Sequence, residues 1–329
     1  MKVNTKTPIL AKKTLAKTLA AITATLSASA FSLALSGSAH AADCSTIRFS
    51  DVGWTDITAT TAITSELVKG LGYTPKTQLL SVPVTYTSLA SGELDVFLGN
   101  WMPTMEGDIA KYRDNGTVET VKTNLTGAKY TLAVNKAAFD GGVRTFADLA
   151  KFKSKFRGRI YGIEPGNDGN RLIQDMIDKG AFDLKGFKLV ESSEAGMLSE
   201  VKRAERRDKW VVFLGWEPHP MNSNFDIEYL DGGDDWFGPN FGGATVHTNT
   251  RKNYSQECPN VGKLLTNLEF SLGMENQVMG AILDDGKKPQ QAANAWLRNN
   301  PEVLKQWLNG VKTLDGKPGL PAVKQYLKL

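Results

Sequence analysis

The sequence predicts an α/β protein built from two lobes, and three observations support this prediction. Short apolar runs alternate with stretches of helical periodicity, the pattern of β-α-β connections. The pattern begins near residue 46 and starts again near residue 129. Segment 96–103 recurs in altered form at 212–218, and each copy ends an apolar run with a tryptophan. At 329 residues, the chain is long enough for two domains, each with a core.

The first unit is predicted to alternate strands and helices up to residue 98. We expect strands at 46–52, 78–84 and 94–98, and helices at 60–71 and 86–91. Gly70 and Gly72 mark the end of the longer helix, because glycine is favoured at helix ends. Pro103 follows where a first helical turn tolerates proline.

The second unit repeats this alternation and leads into a helical tail. Strands are predicted at 129–135, 159–163, 187–190 and 210–214, separated by helices from 146, at 170–179 and at 194–207. The chain is expected to return through 244–249 and to end in two or more helices, including 261–284 and 290–308.

The N-terminal segment indicates export. Five lysines and no acidic residue precede an alanine-rich apolar run from Thr18 to about Leu35, and Ala39-His40-Ala41 has the small-x-small form of a signal-peptidase site. We therefore predict a signal peptide at residues 1–41, cleaved after Ala41, with a membrane anchor as the alternative. The mature protein is expected to be periplasmic.

The charge balance changes once this segment is removed. The whole chain has a formal net charge of +4, but beyond residue 41 only 34 basic residues face 35 acidic ones. No basic footprint for nucleic acid remains, and a composition with 41% hydrophobic residues is that of a globular protein rather than a disordered one.

Two cysteines, Cys44 and Cys258, remain in an oxidising compartment, and we expect a disulfide between them. Two unpaired buried cysteines are the alternative. No cysteine lies close to another, and beyond the leader the histidines are His219 and His247. We therefore expect no metal and no cofactor.

Three tryptophans stand at the ends of predicted strands: Trp54, Trp101 and Trp216. Ligands of open α/β sheets bind beyond the carboxyl ends of strands, so these residues indicate a cleft lined by aromatic rings. Aromatic core residues repeated by the fold are the alternative. Packing sufficiently explains Trp210, Trp296 and Trp307, whereas Trp236 is compatible with either role.

Several aromatic faces form a site suited to a quaternary ammonium, which is attracted to π-faces and donates no hydrogen bond. Asp56 would add a negative charge, and Asn167 could bond a ligand hydroxyl. As alternatives, Asp56 is a helix cap and residues 166–170 are only a turn before a helix.

An enzyme is the competing class. Glu164 and Glu217 could be the paired acid and base of a secreted hydrolase, and His219 could assist them. The sequence has no Gly-x-Ser-x-Gly motif and no phosphate-binding P-loop motif, so we predict a protein that is not an enzyme.

Four motifs show a resemblance that covers the chain from about Cys44 to Leu329: SDVGWTD at 50–56, FLGNW at 97–101, IEPGNDGN at 163–170 and FLGWEPHPMN at 213–222. The chain resembles the substrate-binding proteins of ABC transporters for glycine betaine, proline betaine and choline, and among them the periplasmic choline binders. This resemblance implies a two-lobed type II periplasmic binding protein whose chain crosses between the lobes twice.

The resemblance also implies lobe boundaries and a ligand site. The first lobe would comprise residues 42–128 and 237–329, and the second residues 129–236. The matching positions place the ammonium among four aromatic residues, with one carboxylate and one amide for the charge and the hydroxyl: Trp54, Trp101, Tyr130, Trp216, Asp56 and Asn167. The role of Tyr130 rests on the resemblance alone, and Cys44 and Cys258 match the disulfide.

These inferences lead to the expectation of a monomeric receptor that captures choline and delivers it to a membrane permease. Asp56 would repel the carboxylate of glycine betaine, although Lys129 and Arg171 weaken that argument. Glycine betaine, acetylcholine and carnitine are alternative ligands, and the enzyme alternative becomes a secreted choline-ester hydrolase. A carbohydrate receptor that stacks sugars on tryptophan is a further alternative.

Overall fold

The computed structural model describes residues 43–329, so the predicted signal peptide lies outside the described residues. Residues 43–329 contain nine strands: β1 (Thr46–Asp51), β2 (Thr74–Leu79), β3 (Val96–Met102), β4 (Val118–Asn135), β5 (Arg159–Tyr161), β6 (Lys188–Val190), β7 (Val212–Glu217), β8 (Ile227–Tyr229) and β9 (Gly243–Arg251).

Helices connect these strands and form the C-terminal part of the chain. Those up to the end of β7 are α1 (Thr55–Gly70), α2 (Val82–Ser91), α3 (Glu106–Asp114), α4 (Lys136–Asp140), α5 (Asp148–Lys151), α6 (Asp168–Lys179) and α7 (Glu194–Glu205). The later ones are α8 (Met221–Asn224), α9 (Asp234–Phe237), α10 (Pro239–Gly242), α11 (Tyr254–Glu257), α12 (Pro259–Asn267), α13 (Leu272–Leu283), α14 (Pro289–Asn299), α15 (Val303–Trp307) and α16 (Gly319–Leu327). A 3₁₀ turn, Ala181–Asp183, follows α6.

The sheet consists of two parallel strand groups joined by an antiparallel pair. Its order is β2-β1-β3-β9-β4-β7-β5-β6, with β8 added on β4. β1 is parallel to β2 and β3, which together form the first strand group. β5 is parallel to β6 and β7, which form the second. β4 crosses from the first group to the second and β9 returns antiparallel to it. The predicted α/β fold with two crossings is confirmed.

The tryptophan-ended repeat has the same structure in both copies. β3 and β7 are central strands that are buried on both faces, which explains their uninterrupted apolar sequences. Each strand carries a tryptophan near its carboxyl end, Trp101 or Trp216, and is followed by a cis X-Pro bond, Met102–Pro103 or Glu217–Pro218.

Helix α1 begins earlier than predicted, at Thr55 rather than residue 60. Its buried faces carry threonines as well as aliphatic residues, so apolar periodicity alone misplaces the start. The hydroxyls of Thr60 and Thr64 donate to the backbone carbonyls four residues earlier, at 3.1 and 2.9 Å. Such bonds satisfy buried hydroxyls inside a helix, and they allow α1 to pack against α13, α14 and α16.

The predicted strand at 78–84 is wrong, because β2 occupies Thr74–Leu79 and α2 begins at Val82. β2 is a largely exposed edge strand, with Leu79 74% exposed, so it has no apolar run to detect. The apolar residues that follow it belong instead to a helix with Pro83 in its first turn.

The predicted helices at 261–284 and 290–308 are each divided. The first breaks between α12 and α13, where the Phe270 N–H donates to the Asn124 carbonyl at 2.7 Å. The second breaks at Pro301, since proline disfavours a helical conformation in the residue before it.

Cys44 and Cys258 form the predicted disulfide, with their Cα atoms 5.6 Å apart and a sequence separation of 214. The bond ties the start of β1 to the N-terminus of α12. The part of the chain that the structure describes contains no free cysteine.

Within residues 43–329, no helix combines the length and the apolar character needed to cross a membrane. The same residues contain no group of three or more His, Cys, Asp or Glu side chains placed to hold a metal ion.

Candidate functional site

A small cavity lies where loops and strand ends from both strand groups meet. The space between its lining atoms amounts to about 260 Å³, including space open to solvent. Its lining is buried and comprises Trp54, Asp56, Trp101, Tyr130, Ile163, Asn167, Asp168 and Trp216. All six ligand-binding residues predicted from the sequence are among them. Their contact with a ligand stays a prediction.

The aromatic rings reach the cavity from different elements. Trp54 precedes α1, Trp101 lies near the end of β3, and Tyr130 and Trp216 are paired across β4 and β7. The Tyr130 ring centre is 5.9 Å from that of Trp101 and 6.4 Å from that of Trp216. One tyrosine thus stands beside the tryptophans of both strand groups.

Tyr130 is held in place by close packing and one hydrogen bond. Its hydroxyl donates to Asn167 Oδ1 at 2.9 Å, and its ring meets Phe237 edge-on at 5.9 Å. A Cβ atom at position 169 would collide with the tyrosine hydroxyl, so the glycine there is required by close approach. Burial raises the pKa of Tyr130 well above its ordinary value, and the hydroxyl therefore keeps its proton.

Two indole N–H groups are bonded to carboxylates of the protein. Trp101 Nε1 donates to Asp56 Oδ2 at 3.1 Å, and Trp54 Nε1 donates to Glu164 Oε1 at 2.6 Å. Because these donors are occupied, Trp54 and Trp101 offer a ligand ring surface rather than an N–H group. Burial raises the pKa of Glu164 to about 7.

Asp56 is a buried carboxyl group with incomplete hydrogen bonding. It is 1% exposed, and its Oδ1 has no partner among residues 43–329. Burial raises its pKa to about 8, and the charge of Glu194 adds to the rise. Glu275 on α13 is also near, and burial followed by the Asp56 charge raises its pKa well above the ordinary value. A buried carboxylate without a cation is unfavourable, so this site favours a positively charged ligand.

Asp168 is a second acidic lining residue that the sequence analysis missed. Its Oδ1 accepts from Asn167 Nδ2 at 3.1 Å, while Oδ2 is buried without a partner in the described chain. Burial raises its pKa to about 6. It stands in the first turn of α6, where acidic residues are common for helix stability alone, so its sequence position gives no separate signal.

Asn167 has most of its hydrogen-bonding capacity in use. It is the N-cap of α6, with Oδ1 accepting from the Asn170 N–H at 3.0 Å as well as from Tyr130. One of the two amide hydrogens on Nδ2 serves Asp168, which leaves the other for a ligand oxygen. The alternative of a turn before a helix and the predicted ligand role of Asn167 are therefore compatible.

The residues of the hydrolase alternative are engaged elsewhere. Glu217 forms an ion pair with Lys129 at 3.3 Å, and His219 contacts Glu194 at 3.1 Å. Together with Glu164, they are outside the set of described residues that line the cavity. Trp236, left open by the sequence, lies outside that lining too, with the Lys179 ammonium 5.2 Å from its ring centre.

A small, buried aromatic cavity between two strand groups indicates a ligand-binding protein. The family described as OpuAC, "Substrate binding domain of ABC-type glycine betaine transport system", matches residues 45–299. This chain belongs to that family, as its motifs predicted. Since the family consists of transport substrate-binding domains, the prediction of a receptor without enzymatic activity is confirmed.

Known structures and relatives support the same class. A solved "ABC-transporter choline binding protein in complex with choline" is 63% identical and has a TM-score of 0.86, over 86% of this chain and 98% of that one. The structure of such a protein "in unliganded semi-closed conformation" is also 63% identical, with a TM-score of 0.81 over 87% and 99%. The glycine betaine/proline betaine-binding periplasmic protein of Escherichia coli K12 is 23% identical over 290 residues, 78% of this chain and 86% of that protein.

Proposed function

We propose that this chain is the choline receptor of an ABC importer and works as a monomer in the periplasm. One observation carries the proposal: four buried aromatic residues line a cavity that also holds Asp56, whose Oδ1 lacks a partner in the described chain. Aromatic faces attract a quaternary ammonium, and the carboxylate neutralises its charge. The 63% identity to a protein solved with choline supports this ligand.

The charges around the cavity favour choline over glycine betaine. Two acidic residues, Asp56 and Asp168, line it, whereas no lysine or arginine is found among the described lining residues. The two cations that weakened the sequence argument are paired elsewhere, Lys129 with Glu217 and Arg171 with Asp108. A ligand carboxylate would therefore meet negative charge without a compensating cation.

Closure of two lobes around the ligand would distinguish the loaded receptor from the empty one when it meets the permease. We propose a first lobe of residues 42–128 and 237–329 and a second of residues 129–236. The change of partner along β4 supports the first boundary, because Lys129 pairs with both β9 and β7. A ligand shifts the equilibrium toward the closed state only if it binds that state more tightly, and the cavity takes side chains from both proposed lobes.

The periplasmic location and the partner follow from the same class. The signal peptide predicted at residues 1–41 and the relative named as a periplasmic protein support export. Membership of an ABC-transport substrate-binding family implies a membrane permease as the partner that receives the ligand.

Isothermal titration of the mature protein, unfolded and refolded to remove bound ligand, tests the proposal. Choline should bind at least tenfold more tightly than glycine betaine, with acetylcholine and carnitine measured in parallel. Failure of every quaternary ammonium to bind would overturn the proposed function. Tighter binding of glycine betaine would overturn the assignment of the polar end and leave the aromatic site intact.

A neutral isostere provides the matched control. In 3,3-dimethylbutan-1-ol, carbon replaces the nitrogen of choline, so shape is kept and charge is lost. Four ring faces at about 1 kcal/mol each amount to about 4 kcal/mol, or roughly a thousandfold in affinity. Equal binding of the two compounds would contradict recognition of the cation, and release of choline from acetylcholine would reveal a hydrolase.

A further inference from the structure

The N-terminus of α1 donates hydrogen bonds to a residue of the second proposed lobe. Trp54 occupies the N-cap position, and its side chain makes no capping bond within the described chain. The Thr55 N–H instead donates to Glu194 Oε2 at 2.8 Å, and the Thr55 hydroxyl donates to Glu194 Oε1 at 2.5 Å. Since Glu194 is the first residue of α7, the acceptor for this helix end comes from the second proposed lobe.

Glu194 also has a hydrogen-bond partner within the second proposed lobe, His219. His219 Nδ1 accepts from the Met221 N–H at 2.9 Å, so the ring proton is on Nε2, which donates to Glu194 Oε1 at 3.1 Å. Glu194 and His219 are 5% and 2% exposed. The His219 ring also packs edge-on against Trp216, with centres 4.9 Å apart. One carboxylate therefore connects the start of α1 to a ring that touches a lining residue of the cavity.

We propose that Glu194 is a closure residue, which stabilises the ligand-bound state by accepting hydrogen bonds from Thr55 once the two proposed lobes meet. His219 is its positioning residue and links it to Trp216. This inference rests on the proposed function, because it assigns a step of choline capture. In the open state water solvates both Glu194 and the start of α1; on closure they satisfy each other, and the contact slows the release of choline.

Arg171 offers a matched contact across the same cleft. Its guanidinium donates to Asp108 Oδ2 at 2.6 Å and to the Thr104 carbonyl at 3.2 Å. The Arg171 side chain is 39% exposed, so solvent screens this ion pair and its contribution is small. The buried Glu194 contact has no such screening, and its loss leaves the Thr55 donors without a buried acceptor.

The test measures choline affinity, choline release and compaction for Glu194→Ala, Glu194→Gln and the control Arg171→Ala. We expect Glu194→Ala to weaken binding by roughly 10- to 100-fold, mainly through faster release in stopped flow, as hydrogen bonds to charged groups allow. Glu194→Gln, which retains one acceptor oxygen, should fall between Glu194→Ala and the wild type. Arg171→Ala should change affinity by less than about threefold.

A double-mutant cycle separates closure from folding. Thr55→Val removes the hydroxyl donor and keeps the side-chain shape, so its effect on choline release should disappear in the Glu194→Ala background, where the acceptor is gone. Small-angle scattering should show reduced compaction of Glu194→Ala with choline at concentrations that saturate the wild type. Wild-type release rates in Glu194→Ala, or coupling seen only in the stability of the ligand-free protein, would overturn the inference. Failure of the wild type to bind choline would overturn the proposed function instead.

Discussion

The two walls of the cavity differ in how their polar groups are satisfied. On the first wall, formed by Trp54, Asp56 and Trp101, the carboxyl group has one side-chain donor, Trp101, and a pKa of about 8. On the second wall, formed by Tyr130, Asn167, Asp168 and Trp216, an amide network links the polar groups, and the pKa of Asp168 is about 6. At neutral pH, therefore, the ligand-free cavity is negatively charged mainly at Asp168 on the second wall, while Asp56 is mostly protonated. Binding of a cation must then be accompanied by loss of the proton from Asp56.

The largest expected effect comes from removing one aromatic ring from each wall. Trp101→Ala and Trp216→Ala should each weaken choline binding by more than about tenfold, because each loses a π-face and a large apolar contact. Isothermal titration measures this, with Trp296→Ala as control, since Trp296 stacks on Trp307 in the C-terminal helices. Near-native affinity in both cavity variants would contradict the aromatic site.

The sequence alone was sufficient to predict that these tryptophans line a cavity, because their positions at strand ends can be recognised from neighbouring residues. Trp54, Trp101 and Trp216 each follow or end a strand that is recognisable from its own residues. Tyr130 carries no such signal: it lies inside the 18-residue β4, and its prediction came from family resemblance.

Other features depend on partners distant in the chain and could not be read from local patterns. Glu194 bonds Thr55 across 139 positions, and Phe270 ends a helical stretch by bonding Asn124. The position of β2 was missed for a different reason. An exposed edge strand needs few apolar residues, so its sequence carries no apolar pattern. Strand ends were thus predictable, while contacts between elements were not.

The second prediction concerns the carboxyl groups of the two walls. Asp56→Asn should weaken choline binding about tenfold at pH 8, because a neutral amide cannot compensate the ammonium. In the wild type, choline affinity should rise with pH as Asp56 ionises near pH 8, and binding at pH 7 should release a proton. Titration in buffers of different ionisation enthalpy detects that proton, which should be absent in Asp56→Asn.

Asp168→Asn is the matched control on the second wall. In the wild type Asp168 has a pKa of about 6 and is mostly ionised at pH 7, so it contributes little to proton release there. Proton release on choline binding at pH 7 should therefore persist in Asp168→Asn. Loss of proton release in Asp168→Asn but not in Asp56→Asn would show that Asp168, not Asp56, releases the proton when choline binds.

As pH rises, the stability of the ligand-free protein should fall while its affinity for choline rises. Between about pH 4 and pH 8 the folded protein keeps a proton on Asp56 that the unfolded chain has released, so the free energy of unfolding falls as pH rises through this range. Asp56→Asn should therefore raise the Tm of the ligand-free protein by a few degrees at pH 8 and leave it unchanged near pH 3. Thermal denaturation at both pH values checks the sign.

The smallest expected effect is that of Tyr130→Phe, which keeps the ring and removes the bond to Asn167 Oδ1. One neutral hydrogen bond contributes about 1 kcal/mol, so choline affinity should fall by roughly fivefold. Tetramethylammonium has the charge of choline without its hydroxyl, and its affinity should be almost unchanged. An equal loss for both ligands would mean that the Tyr130 hydroxyl positions the aromatic rings for the cation. A loss confined to choline would place the hydroxyl-binding end on the second wall, where Asn167 keeps one amide hydrogen for a ligand oxygen.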